Sequence, residues 1–252
     1  MITLENLSFE KSGKQLVQDV SANFEKGKMH LILGPNGAGK STLIKLISGE
    51  LKPSNGTVLM DEKNLHHISI KEQAKIRAVL SQNIELSFPL DVSQVVLMGR
   101  FPHYEGSPNS LDMRICEESM KLFRVDEMRD RNYLTLSGGE KQRVQFARVF
   151  AQIWQPVQGK SRLLLLDEPL TFLDVFYQYD LMDKIREFMV ENPDLTVLGV
   201  VHDLNIAAKY SDTIMLLKNS KVFAKGASDD VLNEKNIYEV FGVVVENKFE
   251  IK

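Results

Sequence analysis

The stretch "MHLILGPNGAGKST", Met29 to Thr42, constrains the fold more than any other part of the chain. "MHLIL" is an almost unbroken apolar run, too short for a core helix and typical of a strand buried on both faces. "GPNGAGKS", Gly34 to Ser41, follows it and fits G-x-x-x-x-G-K-[ST], and "STLIKLISG" then reads as a helix closed by Gly49. Such a loop curls so that backbone N–H groups point inward at a phosphate. Lys40 adds a point charge against the β- and γ-phosphates, and the Ser41 hydroxyl is offered to Mg²⁺. A buried strand that turns directly into a helix calls for a mainly parallel α/β sheet covered by helices.

The rest of the chain supports that architecture. Residues 1–88 read as short strands feeding one helix, with "MITLENLSFE" and "VQDVSANFE" alternating as strands do. From 89 to 158 apolar residues recur three and four apart, in "ICEESMKLFRV" and "RVQFARVFAQIW", which predicts an inserted helical subdomain. Strands return over 159–252 in "RLLLLDE", "TVLGVVH", "DTIMLLKN" and "KVFAKG", around the amphipathic "YQYDLMDKIREFMVEN", which Pro193 ends. The expected organisation is one domain over 1–252, its α/β core at 1–88 and 159–252 interrupted by helices at 89–158. With 252 residues, 43% of them hydrophobic, the chain can bury a core of that size. Its longest apolar runs fall far short of the roughly 20 residues needed to cross a bilayer. The N-terminus lacks the pattern of a secretory signal, and the single Cys116 suits a reducing compartment, so a cytosolic location is expected. A net charge of −3 gives no basic excess for wrapping nucleic acid.

In "RLLLLDEP", Asp167 and Glu168 arrive at the carboxyl end of a buried strand, the edge where open α/β sheets place ligands. Asp167 is suited to holding Mg²⁺ and Glu168 to accepting a proton from an attacking water; both could instead be ordinary helix caps. His202 ends another apolar strand in "LGVVHDL" and could position a γ-phosphate and water, or be merely solvated. Gln82, in "VLSQNIEL", could reach Mg²⁺ or water, or lie in an exposed linker. "LSGGEKQ", Leu136 to Gln142, is a second glycine-rich helix start with the composition of a phosphate site.

The ordered set "GPNGAGKST", "SQN", "LSGGEKQ", "LLLLDEP", "FLD" and "VVHD" resembles the nucleotide-binding subunits of ABC transporters over essentially the whole chain. The resemblance implies a P-loop NTPase core with an N-terminal antiparallel β subdomain and an inserted helical subdomain. It implies ATP held by Gly34, Pro35, Asn36, Gly37, Ala38, Gly39, Lys40, Ser41 and Thr42, with Mg²⁺ at Ser41, Gln82 and Asp167. Glu168 would be the catalytic base, His202 a switch histidine and Asp174 a residue communicating across a subunit interface. Two copies would pack head to tail as a homodimer, so that Ser137, Gly138 and Gly139 face the γ-phosphate of ATP on the partner. The homodimer would serve two transmembrane permease subunits on the cytoplasmic face of the inner membrane, with a periplasmic binding protein acting through them and no nucleic acid involved. Residues around 83–104 are the expected permease contact.

Two positions depart from the family pattern. Lys11 stands where an aromatic often stacks on adenine, leaving Lys11 or Phe9 to meet the base, and Leu170 replaces a frequent threonine after "DEP". Within the family, "VVLMGRFPHY", Val95 to Tyr104, resembles ATPases of iron-siderophore, haem and cobalamin importers. The long run "RVQFARVFAQIWQPVQGKSRLLLLDEP" is similar to haem-import ATPases, although Trp154 to Ser161 can also be read as a tolerated loop insertion. Phe172 points instead toward siderophore relatives. Haem is the expected cargo, with ferric siderophore or cobalamin as alternatives. A soluble ABC ATPase of repair or translation would need a long coiled coil, a second cassette or zinc-binding cysteines, none of which is in the sequence. A P-loop kinase or GTPase would leave "LSGGEKQ" unexplained.

Overall fold

Hairpin chemistry starts the fold. In the computed structural model, which describes residues 1–82 and 86–244, β1 (Ile2–Lys11) and β2 (Lys14–Phe24) are antiparallel, and Lys11 faces Lys14 across Ser12–Gly13. Both turn residues have positive φ, 52° and 75°, the backbone that a two-residue hairpin requires. β4 (Asn55–Met60) and β5 (Lys63–Asn64) complete an antiparallel sheet of order β2-β1-β4-β5.

The second sheet has the order β10-β9-β3-β8-β7-β6. Its strands are β3 (Met29–Leu33), β6 (Arg77–Leu80), β7 (Arg162–Asp167), β8 (Leu195–Val200), β9 (Thr213–Lys218) and β10 (Lys221–Gly226). All neighbours pair in parallel except β10, which returns antiparallel on β9. Every residue of β3, β7 and β8 is buried, which is why these strands read as apolar runs instead of alternating. Alternate side chains nevertheless serve different layers. Ile32, Leu163, Leu165, Leu198 and Val200 pack with α1 (Lys40–Ile47) and the antiparallel sheet. Leu31, Leu164, Leu166 and Val197 pack with α5 (Gly138–Ile153) and α6 (Val175–Glu191) on the other face.

The remaining helices are α2 (Ile70–Ile76), α3 (Val92–Leu97), α4 (Ser110–Leu122), α7 (Leu204–Tyr210), α8 (Ser228–Val231) and α9 (Glu234–Phe241). Between 92 and 153 the chain is helical, as its periodicity predicts, but not continuously. A 3₁₀ segment at Met98–His103 contains Pro102, and the helix expected over "ICEESMKLFRV" stops at Leu122, just before Arg124 enters the left-handed region. Arg100 is buried in this lobe, its Nε 3.0 Å from Asp112 Oδ1 and its Nη1 donating to Ala151 O, which ties the 3₁₀ segment to α4 and α5.

The segment between α5 and β7 is tied down at both ends. Buried Arg162 donates to the Ile153 and Trp154 carbonyls, to Asn192 Oδ1 and to both oxygens of Asp194, satisfying its fork. That pairing holds the Asp194 carboxyl below its ordinary range. Ser161 donates N–H and Oγ–H to Asp61, which also takes the Met1 ammonium. No described helix is long and apolar enough to cross a membrane.

Candidate active site

The strand order places the site. β8 lies between β3 and β7, and β6 lies beyond β7, so four adjacent strands end side by side at the carboxyl edge of the sheet. β3 delivers Gly34–Gly39 and Lys40, β8 delivers His202, β7 delivers Asp167 and Glu168, and β6 delivers Gln82. This is the crevice in which open parallel sheets bind ligands.

The loop after β3 owes its shape to close backbone approach. Gly39 has φ +99°, and a Cβ there would lie 2.2 Å from the Leu16 carbonyl oxygen of β2; one at Gly34 would lie 2.3 Å from that of Leu217 in β9. The loop is thus wedged between both sheets. Gly39→Ala is expected to cost at least ~1–2 kcal/mol from the positive φ alone, with the clash added; a thermal melt unchanged from the parent would refute this account of the loop.

Inside the curl, Lys40 is 5% exposed, and its ammonium donates to the Gly34 and Pro35 carbonyls at 2.8 and 3.0 Å. Burial pulls its pKa down while Glu168 and Asp167 pull it up. It forms no salt bridge among the described residues. A buried cation held only by neutral carbonyls leaves its charge for an anion, and the loop fits phosphate. Asn36 and Gly37 are exposed on the rim, and Ala38 is buried beneath. Ser41, which with Thr42 opens α1, donates Oγ–H to Asp167 Oδ1 at 3.0 Å.

Asp167 is buried, and desolvation pushes its carboxyl up, with Glu168 adding to the rise. Two hard oxygens so placed suit Mg²⁺, which takes few protein ligands and shares the rest with water and phosphate. Among the described residues no cluster of three His, Cys, Asp or Glu could hold a metal.

Glu168 has left-handed backbone, φ +52°, held by a turn in which Thr171 donates Oγ1–H to the Glu168 carbonyl at 3.1 Å. Its carboxylate is gripped from both sides. Gln82 Nε2 donates to Oε2 at 2.7 Å, and His202 Nε2 lies 2.9 Å from Oε1. Gln82 and His202 are exposed and Glu168 is half-buried, so the three form a polar rim above the buried Asp167. The expectation that Gln82 reaches Mg²⁺ or water, and that His202 meets the γ-phosphate, thus finds both side chains on Glu168. The role of Thr171 was not read from the sequence; its only sign there is a hydroxyl three residues after the acidic pair.

The second glycine-rich segment stands apart from this rim. Ser137 caps α5 in a reciprocal box: its Oγ accepts from Glu140 N at 3.3 Å and its N–H donates to Glu140 Oε2 at 2.8 Å. No hydrogen bond or ion pair joins 137–139 to 34–42 among the described residues. Exposed Phe172 covers Gly138, where a Cβ would meet the Phe172 Cβ at 3.3 Å. Asp174 caps α6 through Tyr177 N at 3.0 Å. Leu170 is half-buried against the core, and its carbonyl and that of Leu173 accept from Gln178 Nε2. Lys11 is exposed at the end of β1, and Phe9 is partly buried under the β1–β2 sheet. Of the expected permease contact, residues 83–85 lie outside the described residues.

A glycine loop closed around a buried lysine, with two carboxylates at the adjoining strand ends, defines a P-loop protein that binds and hydrolyses a nucleoside triphosphate. Residues 17–171 match the family model described as ABC transporter, and the chain belongs to that family. It is an ATP-binding, ATP-hydrolysing cassette. The chain is 42% identical over 243 residues to the hemin import ATP-binding protein HmuV of Gloeobacter violaceus, covering 96% of this chain and 88% of that one. It is 40% identical to the protein of the same name from Escherichia coli O157:H7, over 96% and 92% of the two chains. Among solved structures, cbiO1 of Clostridium perfringens, described as part of the ABC transporter complex cbiONQ, aligns with a TM-score of 0.78 at 27% identity, over 94% of this chain and 92% of that one. The dimeric MJ0796, a bacterial ABC transporter cassette, aligns with a TM-score of 0.78 at 27% identity, over 90% and 99%.

Proposed function

We propose that this chain is the ATPase subunit of an importer that carries haem across the inner membrane, working as a homodimer on the cytoplasmic face of two permease subunits. The observation that carries the cargo is the match to hemin import ATP-binding proteins of several bacteria along nearly the whole chain. A periplasmic binding protein delivers cargo to the permease. Residues 86–104 and the neighbouring Gln82 form the permease contact; Phe88, Met98 and Phe101 are exposed there.

In this reading Gly34–Thr42 enclose the phosphates of ATP, and Lys40 turns its ammonium from the loop carbonyls to the β- and γ-phosphate oxygens. Ser41, Asp167 and Gln82 hold Mg²⁺, which when bound neutralises charge on the phosphates. Glu168 takes the proton of the attacking water. Gln82 and His202, one on each carboxylate oxygen, orient that base and leave further lone pairs for the water. The first-turn N–H groups of Gly138 and Gly139 have no intrahelical partner, and with Ser137 they cap the γ-phosphate of ATP on the partner chain. Asp174, beside Phe172 at the start of α6, relays closure between subunits. Nucleotide thus clamps two chains together, and hydrolysis removes the bridge.

The cargo is tested by reconstituting the ATPase with its permease in proteoliposomes and adding binding protein loaded with haem, ferric siderophore or cobalamin. Haem-loaded protein is expected to stimulate hydrolysis and the other two to leave it at the basal rate. Stimulation by siderophore or cobalamin without haem overturns the cargo.

A further inference from the structure

The segment 168–174, from Glu168 to the cap of α6, holds two non-glycine residues in left-handed backbone, Glu168 at φ +52° and Phe172 at φ +69°. Such conformations persist only where their surroundings over-determine them. Several of the bonds that do so come from the segment itself or from α6, which continues it. Thr171 Oγ1 donates to the Glu168 carbonyl at 3.1 Å, and Gln178 Nε2 donates to the Leu170 and Leu173 carbonyls at 3.4 and 3.0 Å. Two bonds reach other elements. The Glu168 N–H donates to the Val200 carbonyl at the end of β8, and Gln142 Nε2 of α5 donates to the Pro169 carbonyl at 2.7 Å.

Among the described residues, the Gln142 bond is the only side-chain hydrogen bond between α5 and this segment. Pro169 is buried and has no N–H, so its carbonyl is the one main-chain group by which the residue next to Glu168 can be held. Gln142 stands four residues after Gly138 and three after Gly139, on the same helix face. Phe172 lies over Gly138 and Gly139, and Pro169 meets Gln142 one turn on, so 169–172 runs back along that face. α5 gives it a firm support, with Ser137 capping its start and Val144, Phe146 and Ala147 buried in the core.

We propose that Gln142 is a positioning residue for Glu168 of its own chain, fixing the Pro169 carbonyl so that the adjoining carboxylate meets Gln82 and His202. The inference rests on the two-chain ATPase reading above and adds a division of labour within "LSGGEKQ". Ser137, Gly138 and Gly139 serve ATP on the partner chain, and Gln142 serves the base of the chain to which it belongs. Loss of its amide leaves the carbonyl of a buried residue without its donor and ties Glu168 to the rest of the molecule chiefly through β8. A misplacement of the base by about 1 Å costs up to about 10²-fold in rate, while ATP affinity is set by the Gly34–Thr42 loop and is unchanged.

Mixed dimers test this, because they separate the two chains of one site. Ser137→Arg disables the second glycine-rich segment and Lys40→Ala the phosphate loop. A mixture of these two full-length chains therefore leaves one working site, with Lys40, Glu168 and their own Gln142 from the first chain and Ser137 from the second. Gln142→Met keeps length and removes the donor. Added to the Ser137→Arg chain, it is expected to slow single-turnover ADP formation by about tenfold to 10²-fold. Added instead to the Lys40→Ala chain, it should leave the rate within about twofold of the mixture with both Gln142 residues intact, as a residue outside the working site does. Gln142→Glu, also unable to donate as a carboxylate, should show the same asymmetry and stands in for Gln142→Met if that chain folds poorly. An equal loss in both arrangements marks Gln142 as structural only and overturns the proposal, as does a loss confined to the Lys40→Ala chain or no loss in either. If the mixture with both Gln142 residues intact forms no ADP, the two-chain site itself fails, an outcome distinct from a symmetric effect of Gln142→Met on an active mixture.

Discussion

Glu168→Gln is expected to slow ATP hydrolysis by about 10²–10⁴-fold, the range general-base catalysis supplies, while ATP affinity stays near that of the parent. The substitution keeps size and backbone and removes the capacity to take a proton, together with the charge and one acceptor oxygen. Gln82 Nε2 and His202 Nε2 now approach the carboxylate at 2.7 and 2.9 Å, and one of the two would face an amide nitrogen instead of an acceptor. The variant should therefore bind ATP, close and remain closed, running as a dimer in gel filtration with ATP where the parent returns to its resting state. Rapid-quench turnover and gel filtration read the two effects separately. Turnover within about tenfold of the parent would remove Glu168 from the role of base.

Ser137→Arg should abolish hydrolysis without touching the first phosphate loop. Ser137 accepts from Glu140 N, so the change also loses a helix cap, worth about 0.5–2 kcal/mol. For a chain of this size that predicts a melting temperature lower by a few degrees, about 2–4 °C per kcal/mol. ATP binding to the resting chain should be unaltered. The decisive measurement mixes Ser137→Arg with Lys40→Ala, each inactive alone. A mixed dimer pairs an intact Lys40 loop from one chain with an intact Ser137 from the other, so single-turnover ADP formation should return. A mixture as inactive as its components would refute a site shared between two chains.

Much of this site was legible because its chemistry is local. The glycines that permit the loop, the lysine it encloses and the helix that follows lie within one strand–loop–helix unit, and each is required by the backbone at its own position. The buried strands were visible for a similar reason: β3, β7 and β8 have no solvent face, so apolar residues occupy every position. The short elements α2, α7 and α9 were not read, because seven or eight residues display too little periodicity to stand out from a loop. The left-handed backbone at Glu168 was equally hidden, since it is held by a hydrogen bond from Thr171 and not by a glycine.

The sequence by itself determined that this chain builds a phosphate loop on a parallel sheet, delivers acidic residues to the end of a buried strand, and carries a second glycine-rich helix start. Those properties follow from residue type and short-range spacing. Only the tertiary structure decided which groups meet. The order β3-β8-β7-β6 sets Lys40, His202, Glu168 and Gln82 along one edge, though they are far apart in the chain, and it puts Gln82 and His202 on Glu168. It also gives the buried Arg100 and Arg162 their carboxylates. The physical reason is that a charged side chain is matched by whatever the packing of distant elements brings within hydrogen-bond reach, and no local pattern records that partner.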